Sequence, residues 1–220
     1  MTKLFKLTLT ADIATLKAHN VICVTGTDTG IGKTVVTGLL AKELASHGTV
    51  VTQKWVQSGD LDTPDISTHD TISNIQYDIK NNDDRQVYSF NDPVSPHLAA
   101  RLANQTIEPG LLKSATHRLA DAFDTVLVET SGGIMVPLSE SVTTGDLVAD
   151  MKLATIVVVP NKLGTINHSL LTMQYLTQQN IPIIGFIINQ FDDKQSQLHA
   201  DNPKIIHSIS NQACIGVCSA

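Results

Sequence analysis

Lys33 and Thr34 close the run Gly26-Thr-Asp-Thr-Gly-Ile-Gly-Lys-Thr34, which follows the apolar stretch Val21-Ile-Cys-Val24 and leads into a helical pattern. Glycines at 26, 30 and 32 let the backbone turn tightly, so that successive N–H groups converge on an anion. The helix that follows adds its positive N-terminal end. In such a loop Thr27, Asp28, Thr29, Gly30, Ile31 and Gly32 surround the phosphates of a nucleotide, Lys33 reaches the β- and γ-phosphates, and the Thr34 hydroxyl holds Mg²⁺. The strict pattern G-x-x-x-x-G-K-[ST] asks for glycine at position 27. Thr27 stands there and Gly26 lies one residue early, which makes this a phosphate loop with one extra residue. The alternative is a glycine-rich turn carrying an exposed lysine.

Phosphoryl transfer needs further charge beside that lysine, and the ends of other strands supply candidates. Glu129 ends the apolar run Thr125-Val-Leu-Val-Glu129 and is followed by Thr-Ser-Gly-Gly. A carboxylate there can share the Mg²⁺ held by Thr34, directly or through water; otherwise it is a solvated strand end. Lys54 closes a second apolar stretch, with Ser58-Gly59 just beyond, and could neutralise a second anionic reactant. Asp70, on a short helix after that loop, is a further carboxylate, of a kind that often serves a helix's first turn instead.

The elements that must position these groups can be read from periodicity. Val36, Leu39, Leu40 and Leu44 recur at helical spacing within 33–47, and 49–54 reads as a strand followed by a polar loop over 55–66. Residues 65–74 suggest a short helix, 86–90 a weak strand and 108–122 an amphipathic helix. The runs 125–129, 154–160 and 183–189 are continuously apolar, as in central parallel strands covered on both faces, and 165–179 between the last two has a helical pattern. Strands alternating with helices predict a doubly wound, mostly parallel α/β sheet with helices on both faces, within one domain spanning 1–220. In residues 1–19 the alternation of Leu4, Lys6 and Thr8 with Phe5, Leu7 and Leu9 suggests a short edge strand, and 11–19 a helical turn or two.

Composition narrows the class of function. With 15 Lys plus Arg against 21 Asp plus Glu, the net charge of −6 leaves no electrostatic footprint for nucleic acid or an anionic membrane. Cys23, Cys214 and Cys218 are odd in number and form no C-x-x-C pair, which points away from a disulfide framework and a zinc site. The first ten residues lack a signal peptide's apolar core, and no run approaches membrane-spanning length. A cytoplasmic enzyme acting on a small molecule is the expectation.

Five stretches together resemble the dethiobiotin synthetases: Gly-Thr-Asp-Thr-x-x-Gly-Lys-Thr at 26–34, Lys54-x-Val-x-Ser-Gly59, Ser95-Pro-His97, Val128-Glu-x-x-Gly-Gly133 and Lys162-Leu-Gly-x-Ile-Asn-His168. The resemblance covers about residues 21–190. It implies a P-loop NTPase fold and ATP- and Mg²⁺-dependent closure of a urea ring. In that reaction 7,8-diaminopelargonate takes up CO₂ as a carbamate, the carbamate attacks the γ-phosphate, and the neighbouring amine displaces phosphate. Carried onto this sequence, it places Lys33, Lys54 and Thr29 at the reacting groups, and Thr34, Asp70 and Glu129 at Mg²⁺. Lys54, Ser58, Gly132, Gly164 and Asn167 then fall on the substrate, and Asn189 on the adenine. It further implies a homodimer in which the segment 161–167 faces the partner's site, its free N–H groups suiting the substrate's carboxylate.

The sequence departs from the family at several points. Gly30 replaces an acidic residue, Trp55 a proline and Thr130-Ser131 a Gly-Ala pair, and the stretch 215–220 ends where relatives continue through a proline-containing segment near the base. A second class of function shares this fold: nucleotide-switched ATPases of the partition or metallochaperone type, which bind protein partners. Those carry a signature lysine five residues before the P-loop lysine, where this chain has Asp28.

Overall fold

The computed structural model describes residues 5–77, 82–190 and 197–219. The chain opens with strand β1 (Lys6–Leu9), helix α1 (Ile13–Lys17) and strand β2 (Val21–Gly26). It continues through α2 (Lys33–Ala45), β3 (Val50–Ser58), α3 (Asp65–Ser73), β4 (Gln86–Phe90), α4 (Pro96–Leu102), α5 (Pro109–Ala122) and β5 (Thr125–Glu129). Then come α6 (Thr144–Asp150), β6 (Ala154–Pro160), α7 (Thr165–Gln178), β7 (Ile183–Gln190), α8 (Gln197–Ser210) and β8 (Cys214–Ser219). Among the described residues these strands form one eight-stranded sheet in the order β1-β8-β7-β6-β2-β5-β3-β4. Only the β1–β8 pairing is antiparallel.

Alternation along the central strands feeds a core on each face. Ile22 and Val24 of β2, Leu127 of β5, Ile156 and Val158 of β6 and Ile187 of β7 pack with Leu16 of α1 and with Val36, Leu39, Leu40 and Leu44 of α2. The residues between them, Cys23, Val126, Val128, Val157, Val159, Phe186 and Ile188, meet Leu112 and Leu119 of α5, Leu147 of α6, Met173 and Leu176 of α7 and Ile206 of α8. Strands covered on both faces need apolar residues at every position, which is why these runs lack the polar alternation of a half-exposed sheet. The fold is a doubly wound, mostly parallel α/β layer, and none of the described helices is long and apolar enough to cross a membrane.

Parts of this architecture depart from expectation. β3 continues four residues past Lys54, because β4 pairs its outer side out to Ser58↔Phe90 after β5 has turned away at Lys54↔Glu129. β8 and α8 had no counterpart in the sequence reading. β1 does lie at the edge, on β8, while Leu4 at the start of the expected strand and Ala220 at the end of the C-terminal stretch fall outside the described residues.

β2 lies between β6 and β5, and the chain leaves it through α2 to reach β3 on the far side of β5. The carboxyl ends of β2, β5 and β3 therefore open side by side at the point where the winding changes direction. That crevice is where open α/β sheets bind ligands.

Candidate active site

The loop between β2 and α2 is built as a cradle. Gly32 caps α2 at φ 88°, a left-handed conformation that suits glycine, and no side chain caps this helix end, so its first N–H groups face a ligand. Lys33, 5 % exposed, folds back so that Nζ donates to the Asp28 carbonyl at 2.8 Å. From β7 the buried Asn189 braces the loop, its Nδ2 donating to the Ile31 carbonyl at 2.8 Å. Burial, reinforced by the nearby Lys54 cation, pulls the Lys33 ammonium down to about 8 against the opposing pull of Glu129, Asp65 and Asp28.

Beside this cradle the parallel register sets Lys54 directly against Glu129. Lys54 Nζ lies 2.8 Å from Glu129 Oε1 and 2.6 Å from Asp65 Oδ2, and donates to the Thr130 carbonyl at 3.2 Å. The Thr34 hydroxyl sits 3.0 Å from Asp65 Oδ1 and 3.1 Å from Glu129 Oε1. The other oxygen of Glu129, Oε2, is 2.7 Å from His69 Nε2 on α3. Glu129 is 1 % exposed. Burial alone would raise its pKa, but the Lys54 cation and the His69 hydrogen bond outweigh that and hold the carboxyl well below the usual range. For Lys54 the burial penalty is overcome by Glu129 and Asp65, which raise its pKa and keep it charged.

These groups open onto a cavity of about 520 Å³. Thr29, Gly30, Gly32, Lys33 and Thr34 line it from the loop, Lys54 and Ser58 from β3, Asp65 from α3, and Glu129 and Gly132 from the end of β5. Gly132, at φ 74°, leaves no room for a side chain, since a Cβ would come within 2.8 Å of Val136 Cγ2 and 3.3 Å of Thr29 Oγ1. Backbone thus forms the cavity wall at Gly132, beside Thr29 of the loop. Asn189 sits behind the loop, and exposed Gly164 and Asn167 at the start of α7 lie outside this lining.

Asp70 is placed elsewhere, which corrects its expected role at a metal. Its oxygens pair with both Arg85 Nη atoms, at 2.5 and 3.0 Å, and Arg85 is buried beneath the Tyr77 ring. The carboxylate beside Thr34 is Asp65, the first residue of α3, and the second group on that helix turned to the site is His69. Both were missed. A helix beginning at Asp65 carries positions 65, 69 and 73 on one face, whereas Asp70 falls about 100° off it. The helical phase, more than the residue type, was the signal to read.

Comparisons with known proteins bear on the family of the chain. The sequence family described as "AAA domain" matches residues 20–218. An ATP-dependent dethiobiotin synthetase of Pasteurella multocida is 38 % identical over 79 % of this chain and 83 % of its own length. The ATP-dependent dethiobiotin synthetase of Chlorobaculum tepidum is 35 % identical over 84 % of this chain and 79 % of its own length. A ParA family ATPase from Chlorobium tepidum superposes with a TM-score of 0.53 at 16 % identity, covering 90 % of this chain and 82 % of that one, and so speaks for the fold alone. With identities of 35–38 % over 79–84 % of the chain, the chain belongs to the dethiobiotin synthetase family.

Proposed function

We propose that the chain closes the urea ring of dethiobiotin from 7,8-diaminopelargonate and CO₂ at the expense of ATP, in biotin biosynthesis. The observation that carries this reading is the pair of buried lysines. Lys33 and Lys54 face one cavity from adjacent elements, an arrangement suited to holding two anions, a carbamate and a γ-phosphate, against their mutual repulsion. ATP is a reactant here: its phosphates fit the N–H groups around Gly30–Lys33, and Asn189 stands on the side of the adenine.

Mg²⁺ fits the oxygen donors of Thr34, Asp65 and Glu129, whose carboxylates are held together by the Lys54 cation in this structure. When bound, the ion neutralises charge on the phosphates. Lys54 would face the carbamate oxygen that attacks phosphorus, offsetting its charge, while Lys33 would stay with the phosphoryl group. Thr29, Ser58 and Gly132 confine the diamine so that the second nitrogen lies against the activated carbonyl carbon, and attack there expels phosphate.

The substrate's carboxylate is assigned to Gly164 and Asn167 of a partner subunit. Both lie away from their own cavity, beside Leu163, which is 87 % exposed. A homodimer with shared sites accounts for that placement. The free thiols of Cys23, Cys214 and Cys218 suit a reducing cytoplasm.

The test is ADP release from ATP and Mg²⁺, with and without bicarbonate plus 7,8-diaminopelargonate, across several nucleotides. Release that depends on both co-substrates, with dethiobiotin formed, is expected. Release indifferent to them would overturn the ligase reading in favour of a nucleotide-switched ATPase.

A further inference from the structure

We propose that His69 is a positioning residue for the metal site: its Nε2–H donates to Glu129 Oε2, so that Glu129 presents Oε1 alone to Thr34, Lys54 and a divalent cation. This rests on the reading of Glu129 as a metal-binding group.

Three observations carry it. The contact is short, 2.7 Å, between side chains that are 0 % and 1 % exposed, so no water can substitute for it freely. Its two ends belong to different elements, α3 and β5, and the same helix brings Asp65 to Thr34 and Lys54. A single helix face thus supplies one carboxylate to the site and orients the other. Finally, His69 Nδ1 is buried and has no hydrogen-bond partner among the described residues. A bare Nε2 would point its lone pair at a carboxylate oxygen, and a proton on Nδ1 would be buried without an acceptor. The arrangement in which Nε2 carries the proton and Nδ1 is bare satisfies the contact at the lowest cost.

The consequence is geometric. With Oε2 turned to His69 and Oε1 to Thr34 and Lys54, the imidazole fixes the orientation of the carboxylate and thereby which oxygen faces the Thr34 side, where a cation would sit. Groups that orient a metal-binding side chain in this way typically change metal affinity by roughly 10–100-fold when removed.

The experiment titrates Mg²⁺ in calorimetric ADP binding, without turnover, for the parent, His69→Leu, His69→Gln and Glu129→Ala. His69→Leu should raise the Mg²⁺ half-saturation by roughly 10-fold or more, with the melting temperature recorded in parallel. His69→Gln, whose amide can still donate to Oε2, should restore most of the affinity. Parent-like Mg²⁺ dependence in His69→Leu, or equal impairment in both His69 variants, would overturn the proposal. Glu129→Ala separates the two levels: if it too is unchanged, the metal reading of Glu129 fails, and if it alone is impaired, only the role of His69 fails. Should His69→Leu not fold, ¹⁵N shifts of the parent imidazoles decide, the His69 signal being identified by its loss in His69→Gln. Protonated Nε2 with bare Nδ1 is expected, and the opposite tautomer overturns the proposal.

Discussion

Lys54 is held by two carboxylates at once, Asp65 at 2.6 Å and Glu129 at 2.8 Å, so its removal acts on two separable properties. Lys54→Gln should lower kcat by roughly 10²–10³, the loss expected for one preorganised donor to developing charge. Without Mg²⁺ it should also cost about 3–5 kcal/mol of stability, because Glu129 is left buried without its cation. Saturating Mg²⁺ should return part of that loss. Turnover, and urea melts with and without Mg²⁺, check both, and near-normal turnover would remove Lys54 from the reaction. Lys33 behaves differently, since burial and Lys54 bring its ammonium down to about 8 from 10.5. Between those values the native chain binds fewer protons than the unfolded one, so the stability of the nucleotide-free protein should rise with pH across that window. Phosphate oxygens restore the charge, and ADP binding at about pH 9 should take up close to one proton. Calorimetry in buffers of unequal ionisation enthalpy measures this, and Lys33→Met should abolish it. What was legible at this scale follows from locality. Lys33 and Thr34 announce themselves because the loop that uses them is contiguous, and Lys54 and Glu129 because a charge ending an apolar strand is conspicuous. Choosing Asp65 over Asp70, or noticing His69, requires the phase of α3 against β3 and β5, which the residue types alone do not carry.

The elements were legible where they are apolar throughout and obscure where the sheet ends. β5, β6 and β7 are buried on both faces, so their composition declares them, whereas β8 is a short run interrupted by Gly216 and completed as a strand by β7 on one side and β1 on the other. The N-terminal segment was seen as a possible edge strand, and its structural contribution is larger than its pattern suggested. Leu7 and Leu16 are buried at 5 % and 0 % exposure in the same cluster as α2, and Thr10 N donates to the Ile215 carbonyl at 2.9 Å. Covering β8 replaces a six-residue open edge with the four-residue β1, and a short edge strand offers another sheet less to pair with. Leu16→Ala should cost about 2–5 kcal/mol through the cavity it leaves. In a chain of this length that lowers the melting temperature by roughly 5–15 °C. Because α1 meets the chain just past the C-terminal end of α2, where Lys17 donates to the His47 carbonyl, while the reacting groups lie at the N-terminal end, kcat measured well below the melting point should be unchanged. A loss of turnover at 25 °C would show that the segment also shapes the phosphate loop.

At the scale of the whole molecule, the cavity is lined by both lysines and by Thr34, Asp65 and Glu129, whereas Gly164 and Asn167, assigned to the substrate's carboxylate, lie outside it. Gly164 and Asn167 begin α7 beside Leu163, and Leu171 on the same helix is 58 % exposed, so the helix presents apolar surface where a partner would sit. With a net charge of −6, two copies of the chain would repel at long range, and any association would rest on such apolar contact rather than on charge. Two observations then follow from a twofold dimer with shared sites. Leu163→Asp should shift sedimentation from dimer to monomer and raise the KM for 7,8-diaminopelargonate more than that for ATP, since the phosphate loop is internal to each subunit. Mixing separates shared from self-contained sites more sharply. If Lys54→Gln and an Asn167 variant are each impaired, a heterodimer of the two has one site carrying both defects and one carrying neither. Random reassortment makes about half of the dimers mixed, so the mixture should recover about a quarter of the parent turnover. Self-contained sites would give only the mean of the two impaired enzymes, so a mixture that never exceeds that mean would place Asn167 in its own subunit's site or in none.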